Sequence, residues 1–509
     1  MKKIICSVMV IFLITVSCSS DFTEVKPNGV LESTTFFDNE KNAEQAIIGL
    51  YDLLQYNNSV SWSSALFIKV LPGDDANTGG GNATDQKQLQ DIDDYANISI
   101  SNPSLEAVWN KYYRIIAFAN TIIEKVEAGN LSNKSVIIAE AKFFRAYSYF
   151  ELTTMWGDVP LRLENPTTIS ADAFAKPKSS RADIYAQIKA DLLDAIDGLP
   201  EKSALSQKFR FSKSAAHGLL GKMLVFDGKN SEAIEHLEAV LNNSANGLEE
   251  DISKVWLKDT EFGKESLIEI GYLSTTGVDG NTVNWGGRVE SNVHIQLMGP
   301  RGGADFFNLT GTGLVNGWGF NLPTAKLLNA FEEGDAVRKE ATVMTEAELI
   351  AKGGSKGAGI PWDYEGGIRT KYAPRASETS PSGVTIYNYG TNWRIFRVAE
   401  VVLLAAEAYY NTGDYDNARA ELNKIRNRAG LASVSPSLTG TALFDAIVHE
   451  KFVELAFEGQ RFWDLVRWGK ANAELSSKGY TSKNNLYPIP ASEIAKNKAL
   501  TSADQNPGY

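Results

Sequence analysis

A short pattern of leucine, glycine and alanine occurs twice in this chain and restricts its possible folds more than any other feature. The two copies align at a single offset, which pairs Leu219 with Leu404, Gly228 with Gly413, Ala233 with Ala418 and Leu237 with Leu422. Small residues let two helices approach closely, and a glycine permits the tight turn that reverses the chain between them. The pattern therefore predicts two copies of an antiparallel helical hairpin.

A further hairpin is predicted nearer the N-terminus from the spacing of apolar residues. They recur at intervals of three and four, as along one face of a helix, at Val108, Tyr112, Ile115, Ile116, Ala119, Ile122, Ile123 and Val126. A second helix is predicted over about 135–155, with Asn130 and Ser132 as breaker and cap between the two. Such pairs resemble tetratricopeptide (TPR) repeats, which bury their faces by stacking, and a generic helical hairpin is the alternative.

The composition changes between about 255 and 395, where Gly, Asn, Ser and Thr dominate and aromatic residues are scattered. Loops of this extent seldom occur inside a compact domain without a function. We therefore predict a mainly α fold over 41–509, with a TPR-like helical-hairpin scaffold at about 41–254 and 396–509. A large, irregular, loop-rich insertion at about 255–395 would carry a few short strands and bind the ligand.

The N-terminus predicts export from the cytoplasm. Lys2 and Lys3 precede an almost wholly apolar stretch, 4–16, which ends in small residues at Ser17. This is the layout of a signal peptide, 1–17, and its apolar stretch is too short to span a bilayer as a helix.

The residue that follows, Cys18, is predicted to carry a lipid. Residues 14–18 read ITVSC and resemble the lipobox of bacterial lipoproteins, although Thr15 stands where that pattern usually has leucine. Residues 18–40 would then be a lipidated tether, and the alternative is a plain signal peptide with a chance cysteine. The other cysteine, Cys6, would leave with the signal, so the mature chain would have no disulfide and no thiolate nucleophile.

The charge balance argues against nucleic acid as a partner. The formal net charge is −12, and the sequence has no long basic run. An acidic surface repels a phosphate backbone, so we expect no nucleic-acid binding.

The densest motif lies near the C-terminus, where 450–469 reads EKFVELAFEGQRFWDLVRWG. This stretch resembles the C-terminal signature of the SusD/RagB family. Supporting motifs occur in order along the chain, at Trp109–Ile115, Ala141–Tyr147, Trp156–Leu161, Arg397–Glu400 and Asn506–Tyr509.

The resemblance implies a non-catalytic lipoprotein of the outer membrane that faces the extracellular side. It would bind nutrient glycans and deliver them to a SusC-like, TonB-dependent β-barrel transporter, touching the membrane through its lipid anchor only. No cofactor and no metal are implied. A surface glycoside hydrolase, an oligopeptide-binding member of the same family and a TPR-type adaptor with protein partners remain as alternatives.

Three aromatic residues of the loop-rich segments are the candidate carbohydrate-binding residues: Tyr95, Trp285 and Trp318. Sugars present flat apolar faces ringed by hydroxyls, which an aromatic ring and a few polar groups can bind. The glycines beside both tryptophans should give the rings open access and flexible placement.

Acidic residues are interpreted as structural. Asp74, Asp75 and Asp85 fit no EF-hand spacing, so a solvated turn is predicted there rather than a calcium site. In the C-terminal motif, carboxylates and arginines on neighbouring helical turns are predicted to form ion pairs, which disfavours an acid/base role for Glu458 and Asp464. We therefore assign no catalytic residue.

Overall fold

The computed structural model describes residues 36–59, 62–168, 170–274, 290–303, 305–379 and 386–509. The predicted signal peptide, Cys18 and Trp285 lie outside these ranges. The α-helices are α1 Glu40–Ser59, α2 Ala65–Val70, α3 Lys87–Asp93, α4 Pro103–Ala128, α5 Lys134–Trp156, α6 Arg181–Gly198, α7 Lys213–Phe226, α8 Asn230–Leu241, α9 Val293–Met298, α10 Ala325–Leu328, α11 Ala336–Thr342, α12 Glu346–Ala351, α13 Val398–Asn411, α14 Tyr415–Arg428, α15 Gly440–Glu454, α16 Arg461–Arg467, α17 Ala471–Leu475 and α18 Ala491–Lys496.

Short strands make up the remaining regular structure. They are β1 Ala76–Gly79, β2 Val159–Pro160, β3 Lys178–Ser179, β4 Ser266–Ile270, β5 Phe307–Asn308, β6 Phe320–Pro323, β7 Val343–Thr345, β8 Ser355–Lys356, β9 Gly367–Arg369 and β10 Trp393–Arg397. Within the described ranges they form two-stranded antiparallel sheets, which pair β1 with β6, β2 with β3, β4 with β10, β5 with β8 and β7 with β9. The predicted mainly α fold is confirmed.

Helix α4 shows how the local sequence sets an element. Asn102 caps its N-terminus by accepting hydrogen bonds from the backbone N–H groups of Ser104 and Leu105, and Pro103 occupies the first helical position. Nearly all of the predicted apolar stripe is buried, while Ile123 is half-buried. The predicted hairpin of α4 and α5 is confirmed.

The two repeated patterns form the hairpins α7–α8 and α13–α14. Gly228 and Gly413 lie in the turns with φ of 74° and 84°, a left-handed conformation that favours glycine. A Cβ added to Gly221 would lie 2.6 Å from Leu237 Cδ2, so this position requires the smallest residue. Successive helices pack in the order α4, α5, α6, α7, α8, α13, α14 and α15, as in a TPR-like stack.

The insertion is tied to the scaffold rather than separate from it. Strand β10 pairs with β4 and runs directly into α13, and β1 of the early loop (residues 71–101) pairs with β6. Residues of the scaffold and of the insertion share one hydrophobic core. The predicted division at 254 and 396 therefore stays a prediction.

A buried charge cluster lies where the insertion meets the C-terminal motif. Arg397 is fully buried, with its guanidinium 2.8 Å from Glu265, 2.6 Å from Glu454 and 2.8 Å from Glu458. Arg428 and Arg338 also pair with Glu454. Burial opposes ionisation of Glu454, but Arg428, Arg397 and Arg338 hold the pKa of its carboxyl well below the usual range.

The ion pairs predicted on neighbouring turns of one helix are mostly wrong. The chain leaves helix α15 at Glu454 and passes through Phe457 and Gly459 at positive φ before α16 begins at Arg461. Glu454 and Glu458 therefore pair with the distant Arg397. Asp464 pairs within the motif, with Arg467 at 2.7 Å and with Lys451 at 2.7 Å.

Replacing Glu454 by Gln should lower the free energy of unfolding by about 3–5 kcal/mol, because three buried arginines lose a shared countercharge. Urea unfolding would measure the loss. The control is Glu127→Gln, whose carboxylate is 67% exposed and 3.6 Å from Lys134, with an expected change below about 1 kcal/mol. Equal stability of the two variants would contradict the structural role of the cluster.

The solvated turn predicted around Asp74 and Asp75 is wrong, since both side chains are buried. Asp74 pairs with Arg461 at 2.6 Å, and Asp75 accepts the backbone N–H of Phe457 at 2.7 Å. Both aspartates thus dock the early loop onto the C-terminal motif, while Asp85 is half-buried.

Asp75 should make stability fall with rising pH. Burial, then the charge of Asp74, raises the pKa of the Asp75 carboxyl from 3.8 to about 6, although the Phe457 N–H opposes the shift. Between these two pKa values, the folded state holds a proton that the unfolded state has lost. The stabilisation that the protonated Asp75 gives the folded state is therefore complete below pH 3.8 and is lost as the pH rises through 6.

The Asp75→Asn variant lacks the titrating carboxyl, so its free energy of unfolding should not show this fall with pH. Measured by urea unfolding, its stability relative to wild type should rise by about 2 kcal/mol between about pH 4.5 and pH 7.5. Asp74→Asn is the matched control. Although burial raises the pKa of Asp74, Arg461 and Lys326 lower it overall, so that variant should lose stability at neutral pH. Parallel pH profiles for wild type and Asp75→Asn would contradict the assignment.

Candidate functional site

A cavity of about 890 Å³ opens between the early loop and the insertion, and we call it the aromatic cavity. Its volume falls in the range of ligand-binding pockets. It is lined by Trp62, Asp85, Gln86, Gln296, Arg301, Gly302, Phe306, Val315, Asn316, Gly317, Trp318, Phe320, Ile386 and Tyr389.

Aromatic rings form one wall of this cavity. Trp62 and Trp318 are stacked with ring centroids 5.9 Å apart and an angle of 29° between their planes. Phe320 packs on Trp62 at 4.4 Å, and Tyr387 meets Trp318 edge-on at 5.4 Å. Both indoles are half-buried, so the wall is supported from behind and accessible from the cavity.

Close backbone packing fixes the position of Trp318. The backbone N–H of Trp318 donates to the carbonyl of Gln296 at 2.9 Å. The backbone N–H of Gly317 donates to the Pro300 carbonyl at 2.7 Å, and that of Gly319 donates to the Gly299 carbonyl at 2.8 Å. A Cβ on Gly317 would lie 2.3 Å from Gly299 Cα. The glycines therefore permit close approach of two backbone segments, and they do not give the flexible placement that the sequence suggested.

Polar groups surround the aromatic wall. The Arg301 guanidinium lies 4.8 Å from the Phe306 ring centroid and donates to the Trp318 carbonyl at 3.4 Å. Tyr389 donates to Gln296 Oε1 at 3.3 Å, and burial raises the pKa of its hydroxyl, which stays neutral. An arginine, amides and a hydroxyl beside apolar rings suit a neutral, hydroxyl-rich ligand.

The cavity is poorly equipped for acid/base hydrolysis. Among the described residues that line it, Asp85 is the one carboxylate. Its Oδ2 accepts the Gly81 N–H at 2.9 Å. Glycoside hydrolases of the usual kind need two carboxyl groups across the scissile bond.

The three candidate carbohydrate-binding residues have different positions. Trp318 lines the aromatic cavity, and Trp285 lies outside the described residues. Tyr95 is 4% exposed, donates its hydroxyl hydrogen to the Pro72 carbonyl and packs near Phe462 and Tyr480. Its ring is thus part of the interior, and the structure does not bring it to the cavity beside Trp318.

Sequence reasoning missed Trp62, Arg301 and Phe306. Trp62 stands among serines just before a helix that Ser64 caps, which gives a weak signal for an exposed aromatic residue. The early loop and the insertion meet through long-range contacts such as the pairing of β1 with β6, so the sequence offers no local sign that these residues share a cavity.

A larger cavity of about 1100 Å³ lies along α4, 161–176 and α18. Its polar side chains are largely engaged within the protein: Arg162 donates to the Phe174 carbonyl at 2.6 Å and to Glu493 at 3.1 Å. Trp109 in its wall is 1% exposed. The aromatic residues in its lining that are not fully buried are Phe174 at the rim and the half-buried Tyr113, whose hydroxyl donates to the Pro160 carbonyl at 2.8 Å.

Comparison with known proteins places the chain in a family. A model described as the SusD family matches residues 337–485, and one described as "Starch-binding associating with outer membrane" matches 21–225. A solved structure of a laminarin binding SusD-like protein is 30% identical, with a TM-score of 0.81, over 93% of this chain and 100% of that one. The chain belongs to the SusD family.

Two further relatives agree. Surface glycan-binding protein A from Bacteroides fluxus is 27% identical, with a TM-score of 0.78, over 92% of this chain and 100% of its own. SusD-like protein P2 of Formosa agariphila is 26% identical over the full length of both chains. The family description associates such proteins with the outer membrane, and in the described ranges no helix has the length and apolarity to span a membrane.

Replacing Gly317 by Ala should displace the Trp318 segment and lower the free energy of unfolding by about 1–3 kcal/mol, because the new Cβ collides with Gly299. The control is Gly247→Ala, where the nearest atom to the added Cβ is 3.7 Å away. Thermal unfolding and near-ultraviolet circular dichroism would show the difference. Gly317→Ala with the wild-type melting temperature would contradict the close packing described above.

Proposed function

We propose that this protein is a non-catalytic, cell-surface glycan-binding protein. The observation that carries the proposal is the stacked pair Trp62 and Trp318 in the wall of an open cavity. Their faces offer an apolar platform to a pyranose ring, while Arg301, Asn316 and Gln296 lie within the same cavity for hydroxyl groups.

Laminarin is the first ligand to test. The 30% identical relative is a laminarin binding protein, and it covers nearly the whole of this chain. Among the described residues, the cavity is lined by one cation, Arg301, and one anion, Asp85. These opposite charges balance, which favours a neutral glucan as the ligand.

Delivery to a transporter completes the proposed role. A lipid on Cys18 would hold the mature chain on the outer membrane, facing the extracellular side, and a SusC-like, TonB-dependent β-barrel would receive the glycan. Family membership supports this partner. Affinity should be modest, because a glycan that is held too tightly would not pass to the pore.

Hydrolysis of the ligand is the second candidate function, and the geometry disfavours it. Asp85 has no second carboxylate beside it among the described lining residues. Incubation of the protein with laminarin, followed by chromatography of the products, separates the two functions. Shortened chains would overthrow the binding proposal.

Replacing Trp62 or Trp318 by Ala should lower the affinity for laminarin at least about tenfold, because each variant removes half of the stacked platform. Isothermal titration calorimetry of purified protein measures the affinity. The control is Phe174→Ala, an exposed aromatic ring at the rim of the larger cavity, with no expected change. Loss of binding in Phe174→Ala with both tryptophan variants unaffected would move the site to that cavity.

A further inference from the structure

An exposed tryptophan outside the aromatic cavity is held on a loop that is pinned to the cavity wall. The loop carries Trp362, which is 38% exposed. Upstream of it, Gly357 donates to the carbonyl of Phe306 at 2.5 Å and Gly359 donates to that of Asp305 at 2.6 Å. The backbone N–H of Trp362 donates to the Gly80 carbonyl at 3.0 Å.

The residues that follow Trp362 are fixed as well. Asp363 has a φ of 54°, a left-handed conformation that costs a non-glycine residue energy. Asn77 of β1 donates to the Asp363 carbonyl at 3.1 Å and to Glu365 Oε1 at 2.9 Å. These bonds maintain an unfavourable backbone conformation at the position next to the exposed indole.

Both attachment points of the loop adjoin the cavity wall. Phe306 lines the cavity, and a Cβ on Gly359 would lie 3.1 Å from its ring. On the other side, a Cβ on Gly80 would lie 2.6 Å from the ring of Phe320 and 3.0 Å from Asp85, which both line the cavity. Trp362 therefore stands at the outer rim, next to the wall that Phe306, Phe320 and Asp85 form.

The indole of Trp362 is incompletely buried. No ring pair or cation–π contact involves Trp362 within the part of the chain that the structure describes. Burying an indole normally contributes much to stability, so a hydrogen-bonded loop that leaves 38% of this side chain exposed keeps part of the ring available for a ligand. Ile360, 61% exposed, lies on the same loop.

We propose that Trp362 is a second saccharide subsite, which makes the protein selective for long glucan chains. A polysaccharide bound at Trp62 and Trp318 extends past the wall of Phe306 and Asp85 and stacks again on Trp362. Two weak contacts on one chain raise the affinity because the second contact forms at a high effective concentration. A short oligosaccharide gains nothing from the rim. This inference rests on the proposed function, since the same glycan occupies both places.

The test compares two ligands on untagged protein by isothermal titration calorimetry: laminarin and the trisaccharide laminaritriose. Trp362→Ala should lower the affinity for laminarin by about three- to tenfold and leave that for laminaritriose within about twofold. Trp318→Ala should weaken both. Ile360→Ala is the matched control for an exposed apolar residue on the same loop and should change neither.

The outcomes are distinguishable. If the wild type binds laminarin and Trp362→Ala binds it equally well, the second subsite is absent while the proposed function stands. That result, together with weaker capture of the transporter by Trp362→Ala, would assign the indole to a protein interface. Equal weakening for both ligands would place Trp362 in the first site and overturn the length selectivity. If the wild type binds neither ligand, the proposed function and this inference fail together.

Discussion

The buried guanidinium of Arg397 joins the two parts of this fold. It is the last residue of β10 and stands directly before α13, so it belongs to the junction between the insertion and the scaffold. Its carboxylate partners come from the insertion, at Glu265, and from the C-terminal motif, at Glu454 and Glu458. Lys371, also fully buried, donates to Glu458 and to the carbonyls of Glu454 and Ala456. Glu454 and Glu458 of the C-terminal signature thus compensate buried cations at the junction with the insertion, which gives these two carboxylates a structural role.

The same motif supports the aromatic cavity from a distance. Arg461 and the N–H of Phe457 hold Asp74 and Asp75, and Thr324 donates its hydroxyl hydrogen to the Asp74 carbonyl at 2.7 Å. This places β1 beside β6, with Gly79 opposite Phe320. Phe320 in turn packs on Trp62 and continues the segment of Trp318. A chain of buried polar contacts therefore positions the aromatic wall of the cavity.

Local patterns predicted the scaffold well. The period of apolar residues in α4 and the glycines at 228 and 413 act within a few turns of helix, so the sequence alone determines their consequences. The turn around Asp74 and Asp75 was predicted as solvated because nothing nearby in sequence reveals Arg461 as a partner. Its glycine-rich surroundings predict Trp318 as a binding residue, whereas nothing near Trp62 in the sequence reveals its contacts with Trp318 and Phe320. The polar, loop-rich surroundings of Tyr95 predict an exposed ring, and its burial follows from contacts with the distant Phe462 and Tyr480.

In the proposed function, the stacked tryptophans are the platform for a glucan. A crystal structure of the protein with a laminarin hexasaccharide tests it most directly. We expect a pyranose ring to lie against the face of Trp62 or Trp318, with Arg301 or Gln296 within hydrogen-bonding distance of its hydroxyls. A hexasaccharide that is bound along α4 near Phe174, or that touches neither tryptophan, would contradict the account.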